Sequence, residues 1–242
     1  MDSKFEDLEG NFYGVGVGPG DSELLTIKAV NAIKNADVII APKTEKKDGS
    51  VALTIAEPYI SDSEIIFQTF PMVKNFEESK EIFEQNTKQI LEFLRSGKNV
   101  AFLTLGDPMF YSTYIYILRL LKNSGAKVTT IPGVPAFLAI ASHIGKAAAY
   151  GNDIVTIIPA TAQKSKIIDA LKISDSAILM KVYKNFDEIV GILDAENMIE
   201  NAVLISRYGL DDEKIFENLN AHKSDKLNYL STILTRRGKV ED

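Results

Sequence analysis

The chain's hydrophobic pattern breaks into short apolar runs alternating with helical repeats. Asn11 to Val17 alternates bulky and small residues, as a strand does, and runs into the turn signal Gly18-Pro19-Gly20-Asp21. A helix is expected next. Asp21 or Ser22 is placed to cap it, and Leu24, Leu25, Ala29, Ile33 and Ala36 recur at helical spacing. Asp37 to Ala41 is then a short strand stopped by Pro42, giving a β-α-β unit with a right-handed crossover and parallel strands. Glu77 to Ser96 predicts an amphipathic helix, with Ile82, Phe83, Ile90, Phe93 and Leu94 inward, a solvated outer face of glutamates and lysines, and Gly97 at its C′ position. Strands are expected over 99–105 and 127–131, and helices over 114–123 and 136–145. Further strands fall at 154–158, 177–182, 202–206 and 229–235, with helices at 166–171 and 187–193. The fold class is α/β, in two lobes, 1–131 and 132–242, divided where a strand, Pro132-Gly133 and a helix meet.

Composition narrows the chemistry. Of the 242 residues 45% are hydrophobic and 25% charged, which excludes a disordered chain. Cysteine is absent and the histidines number two, His143 and His222, so no metal site is expected and no thiol nucleophile exists. The net charge of −6 gives none of the basic surplus of a nucleic-acid binder. No apolar run approaches the roughly 20 residues of a membrane helix, and the acidic start MDSKFEDLEG is unlike a secretory signal, so a cytoplasmic protein is expected.

The glycine-rich segment Gly14-Val-Gly-Val-Gly-Pro-Gly-Asp21 does not match the dinucleotide fingerprint: counted from Gly14 the sixth position is Pro19, and from Gly16 it is Asp21. Nor does Gly145-Lys146-Ala147 match a phosphate loop. The stronger signal is a set of three bends. Gly18-Pro19-Gly20-Asp21, Gly106-Asp107-Pro108 and Pro132-Gly133-Val134-Pro135-Ala136 each follow a strand expected to be parallel. Parallel strands end on one edge, so three such bends would line one crevice with bare backbone, suited to a small polar ligand.

The segments GVGVGPGDSELLTIKA, LTLGDPMFYST and IPGVPAF, in this order and spacing, resemble the three signatures of the tetrapyrrole (class III) S-adenosylmethionine-dependent methyltransferases, and the resemblance covers essentially the whole chain. Phe70-Pro71-Met72, Tyr111-Ser112-Thr113 and Leu179-Met180-Lys181-Val182-Tyr183 look like the precorrin-2 or cobalt-factor-II C20-methyltransferases of cobalamin synthesis. The resemblance implies two α/β lobes with a cleft between them, a homodimer, and S-adenosylmethionine as co-substrate, leaving as S-adenosylhomocysteine. It assigns Pro19, Leu105, Gly106, Asp107, Phe110, Pro135, Ala136, Val182, Tyr183 and Gly209 to the cofactor. The tetrapyrrole substrate would meet Tyr111, Ser112, Lys181 and Lys184.

The implied reaction moves a methyl from a sulfonium to the C20 carbon of a reduced tetrapyrrole, so alignment and desolvation would be the protein's main contribution. For loss of the C20 proton, the candidates for any base are Tyr111, Asp107 and water. Lys43, Lys46, Lys47, Lys74 and Arg207 join Lys181 and Lys184 as possible partners of ring carboxylates, or else are solvated loop charges. Asp107 could equally form an Asx turn with its Pro108 neighbour. Tyr114 and Tyr116 are expected in the core, His143 packed or at a helix end, and His222 at the surface. Two other functions compete: a relative methylating another ring position or a protein side chain, as the diphthine-synthase branch does, and a binding module that transfers nothing.

Overall fold

A computed structural model describes residues 8–44, 49–71 and 79–238. Lys46, Lys47, Met72, Lys74 and the start of the helix expected from Glu77 lie outside the described residues. The chain divides into two compact units, Met1–Pro135 and Ala136–Asp242.

Among its described residues unit 1 holds five strands, β1 (Phe12–Gly16), β2 (Val38–Lys43), β3 (Glu64–Thr69), β4 (Val100–Thr104) and β5 (Val128–Ile131), ordered β3-β2-β4-β1-β5 and parallel throughout. Helices α1 (Ile27–Lys34) and α2 (Val51–Ala56) cover one face, burying Ala29, Ile33 and Ile55 against Val15, Leu103 and Ile131. Helices α3 (Lys80–Arg95) and α4 (Tyr114–Asn123) cover the other, burying Ile90, Leu94, Tyr114 and Leu121 against Phe12, Val100 and Phe102. With both faces covered, β2 and β4 read as continuous apolar runs. The connection leaving β1 crosses to the first face and the one leaving neighbouring β4 to the second, so a crevice opens between their C-terminal ends, where open α/β sheets bind ligands.

Local chemistry departs from the sequence pattern in several places. The helix expected directly after Asp21 is broken. Asp21 caps only a 3-10 turn, Ser22–Leu24, and Thr26 starts α1 by accepting the Ala29 N–H at 3.1 Å. Pro42 does not stop β2, because β2 pairs with β4 only as far as Ile40. The Lys43 carbonyl accepts the Phe70 N–H, so the adjacent Pro42 turns its missing donor to the vacated side. Three short elements, α2, β3 and a strand in unit 2, escaped the periodicity altogether. The 80–95 helix ends as expected: Gly97 adopts φ +78°, with the Lys98 and Gly97 N–H groups bonded to Phe93 O and Leu94 O in a Schellman cap.

Unit 2 starts with α5 (Ala136–His143) and builds a mixed sheet from β6 (Val155–Pro159), β7 (Ser176–Met180), β8 (Val203–Ser206), β9 (Lys214–Phe216) and β10 (Ser231–Arg236), ordered β6-β7-β10-β8-β9. Only β6 and β7 are parallel. Helices α6 (Lys164–Lys172) and α7 (Phe186–Ala195) pack Ile167, Leu171, Ile189 and Leu193 against Leu179, Leu204 and Ile233. Arg237 closes both helix ends, donating to Leu171 O at 2.9 Å and Glu196 O at 2.8 Å. The strand expected over 177–182 stops at Met180, since Lys181 turns left-handed at φ 61° and Val182–Lys184 forms a 3-10 turn.

Candidate functional site

In unit 1 the three bends meet. Beyond the ends of β1 and β4, Gly106 N–H donates to Gly18 O at 2.8 Å and Gly18 N–H to Gly106 O at 3.3 Å, with φ +70° at Gly106 and +76° at Gly18. The Asp107 carboxylate ties in the third bend. Its Oδ2 accepts the Gly133 N–H at 3.0 Å and its Oδ1 the Met109 N–H at 2.8 Å. The second bond is an Asx turn, so Asp107 shapes its own loop and also joins it to the end of β5.

The alternating glycines of β1 divide their roles. A Cβ on Gly14 would lie 2.1 Å from the Tyr114 ring, which packs over it and hydrogen-bonds Thr130 Oγ1 at 2.5 Å. A Cβ on Gly16 would lie 2.5 Å from Gly133 N and 2.7 Å from Gly106 O. Gly14 therefore serves the core, and Gly16 lets the two outer bends close over β1. Around Gly106 the space where a side chain would begin is open, its nearest neighbour being Val134 O at 4.0 Å. Pro19 is buried at the first bend, and Leu105 is half-buried beside Gly106. The hydroxyl Oγ1 of Thr104, immediately before the second bend, is buried with no hydrogen-bond partner among the described residues.

The loop from Asp107 to α4 carries the aromatic candidates. Phe110 and Tyr111 stack edge to face at 4.7 Å. Tyr111 is 45% exposed and adopts φ 49°, a left-handed conformation that costs a side-chain-bearing residue about 1–2 kcal/mol. Ser112 Oγ accepts the Tyr114 N–H at 3.0 Å and so helps start α4. Tyr114 is fully buried, and Tyr116 packs on Phe83 at 5.1 Å. Lys43, at the end of β2, sits over the Phe67 ring. Pro135 closes unit 1.

In unit 2 the ends of β7 and β8 lie on one sheet edge, on either side of the start of β10. Ala136 opens α5. The Val182 side chain is wholly buried in the unit 2 core, which leaves its backbone alone for a ligand. Tyr183 packs edge-on against Tyr229 at 5.3 Å and carries Lys184 Nζ 5.5 Å from its ring centre. Burial lowers the Lys181 pKa from its ordinary value and, together with Tyr183, raises that of Tyr229. After β8, Arg207 (φ 58°) donates its backbone N–H to Leu230 O and pairs through its guanidinium with Asp212. Gly209 is exposed, with φ +69°. His143 ends α5 and His222 faces Asp225 at 2.9 Å near the surface. Tyr229, Thr104 and the acidic residues after Gly209 gave no sequence signal, since each stands alone among ordinary loop or strand residues.

Comparison with known proteins places this geometry. The model of the family "Tetrapyrrole (Corrin/Porphyrin) Methylases" matches residues 11–222. The chain is 31% identical, over 95% of its length and 98% of the relative's, to a cobalt-precorrin-2 C(20)-methyltransferase of Salmonella typhimurium. It is 33% identical, over 94% and 96%, to a probable cobalt-precorrin-2 C(20)-methyltransferase of Methanocaldococcus jannaschii. The solved structure of a cobalt precorrin-4 methyltransferase shares the fold, with a TM-score of 0.75 at 20% identity over 93% of this chain and 94% of that one. By its full-length matches and its three converging bends, the chain belongs to the tetrapyrrole methylases.

Proposed function

We propose that this protein transfers a methyl group from S-adenosylmethionine to C20 of precorrin-2 or its cobalt form, a step of corrin-ring construction. The ring and the position are supported by the two C20-methyltransferases matched over nearly their whole lengths. One observation carries the nucleoside site: the glycine bends after β1, β4 and β5 close over Gly16 and leave the Gly106 backbone face bare.

The residues present fit the co-substrate. A glycine-lined edge with fixed polar backbone groups suits a nucleoside, and the half-buried Leu105 beside it offers apolar surface. S-adenosylmethionine, when bound, supplies the electrophilic sulfonium methyl. The chain's own part is to align the partners and exclude water. Asp107 sets the spacing of the bends. Both its oxygens accept backbone N–H groups in shaping the loop, and Tyr111, 45% exposed on the same loop, is the side chain we assign to the C20 proton. From unit 2 the same reading gives Ala136, Val182, Tyr183 and Gly209 to the nucleoside and Lys181 and Lys184 to ring carboxylates. It takes the working form to be a cytoplasmic homodimer. No helix among the described residues is long and apolar enough to cross a membrane.

The test is incubation with S-adenosylmethionine and the metal-free or cobalt-loaded dimethylated ring. A gain of one methyl in one of the rings, with stoichiometric S-adenosylhomocysteine release, is expected. Release of S-adenosylhomocysteine with neither ring methylated would overturn the substrate.

A further inference from the structure

Two carboxylates act within the bend that carries Gly209: Asp212 pairs with Arg207, and Glu213 holds Gly209 itself. Glu213 Oε2 accepts the Gly209 N–H at 2.7 Å, and its Oε1 meets His143 Nε2 at 2.9 Å. His143 belongs to the last turn of α5, and its ring packs edge-on against Tyr208 at 5.3 Å, so the helix touches the bend twice. Glu213 also donates its own N–H to Leu210 O at 2.9 Å. The segment 207–213 links the antiparallel strands β8 and β9 and contains two left-handed residues, Arg207 and Gly209. A hairpin connection of this length has no ladder bonds of its own, and an exposed glycine within it is free to sample many conformations.

We propose that Glu213 is a positioning residue for the nucleoside: it docks the Gly209 bend onto α5 and fixes the peptide groups that bend presents. The proposal rests on the reading that Gly209 meets S-adenosylmethionine. With the Gly209 N–H committed to Glu213, the polar backbone group left at this residue is its carbonyl, an acceptor. The docking acts before binding, so it lowers the ordering cost that the ligand would otherwise meet.

The experiment is calorimetric titration of the full chain with S-adenosylhomocysteine, for wild type, Glu213→Ala, Glu213→Gln, His143→Ala and the Glu213→Ala/His143→Ala double variant. Steady-state kinetics on the same proteins accompany it. Glu213→Ala is expected to weaken binding about tenfold and to raise KM for S-adenosylmethionine with kcat little changed. Glu213→Gln keeps an acceptor for Gly209 and is expected to recover most of the affinity. The double variant is expected to bind no worse than Glu213→Ala, because both changes break one linkage. Additive losses, or a folded Glu213→Ala protein binding within twofold of wild type, would overturn the proposal. If Glu213→Ala does not fold, His143→Ala and Glu213→Gln decide it: the expected result is a loss for the first and near-wild-type affinity for the second, and unchanged affinity in His143→Ala overturns it. Failure of the wild type to bind S-adenosylhomocysteine would instead overturn the nucleoside reading on which the proposal stands.

Discussion

Asp107 and Gly133 are joined by a 3.0 Å hydrogen bond that bridges the loops after β4 and β5, across the end of the strand lying between them. The bond is charge-assisted, and the other carboxylate oxygen holds Met109. Asp107→Ala leaves both N–H groups without this acceptor. The expected cost is about 1–3 kcal/mol of stability by urea unfolding, together with a loss of S-adenosylhomocysteine affinity of about tenfold or more. Asp107→Asn retains one acceptor oxygen and is expected to fall between wild type and alanine in both measurements.

Gly16 lies where those loops close. Its missing Cβ would stand 2.5 Å from a backbone nitrogen and 2.7 Å from a backbone oxygen, and neither can move without displacing a bend. Gly16→Ala is expected to destabilise by about 1–3 kcal/mol and to abolish measurable nucleoside binding. Gly191, on the exposed side of α7, has nothing within 4 Å of its would-be Cβ. Gly191→Ala is expected to stabilise by about 0.5–1 kcal/mol with binding unchanged. The pair, compared by thermal melts and titration, separates close approach from a general effect of added methyls.

Tyr111 occupies a conformation that glycine adopts without strain. Tyr111→Gly is expected to hold or raise the melting temperature while lowering kcat at least tenfold, the signature of strain kept for function. Tyr111→Phe is expected to keep the stability of wild type and lose turnover. Full activity in Tyr111→Phe would remove the phenol from proton transfer.

The amino-acid pattern showed the α/β class, strands β1, β2, β4 and β5 of unit 1 and the three bends, because each rests on local chemistry: apolar runs of strand length ending in Gly or Pro. It missed α2, β3 and β9, which are short, and β3 and β9 are edge strands whose exposed faces blur any alternation. It did not show what Gly14 serves, since Tyr114, one hundred residues on, fills the space where a side chain would stand. Such a role depends on a contact distant in sequence. The tie from Asp107 to Gly133 was invisible for the same reason, although its Asx-turn half was open to view in Asp107-Pro108.

Burial lowers the Lys181 pKa below its ordinary 10.5. Between the lowered value and 10.5 the unfolded chain binds more protons than the folded one, so this residue makes stability rise with pH through that window. Lys181→Met lacks the rise and is expected to be the more stable protein on the neutral side. Tyr114 and Tyr229, whose pKa values burial raises above 10.0, act in the opposite sense at higher pH in both proteins. The difference between the two urea-unfolding profiles, measured from pH 7 to 10, therefore isolates Lys181. On the proposed pairing of Lys181 with ring carboxylates, the same variant is expected to raise KM for the ring.

The most direct measurement is carbon NMR of the product formed from S-adenosylmethionine carrying a ¹³C-labelled methyl and the dimethylated ring, supplied metal-free and with cobalt. The account predicts one enriched methyl resonance, correlated to C20 of the macrocycle. Enrichment at any other ring carbon, or a labelled methyl found only on protein, would contradict it.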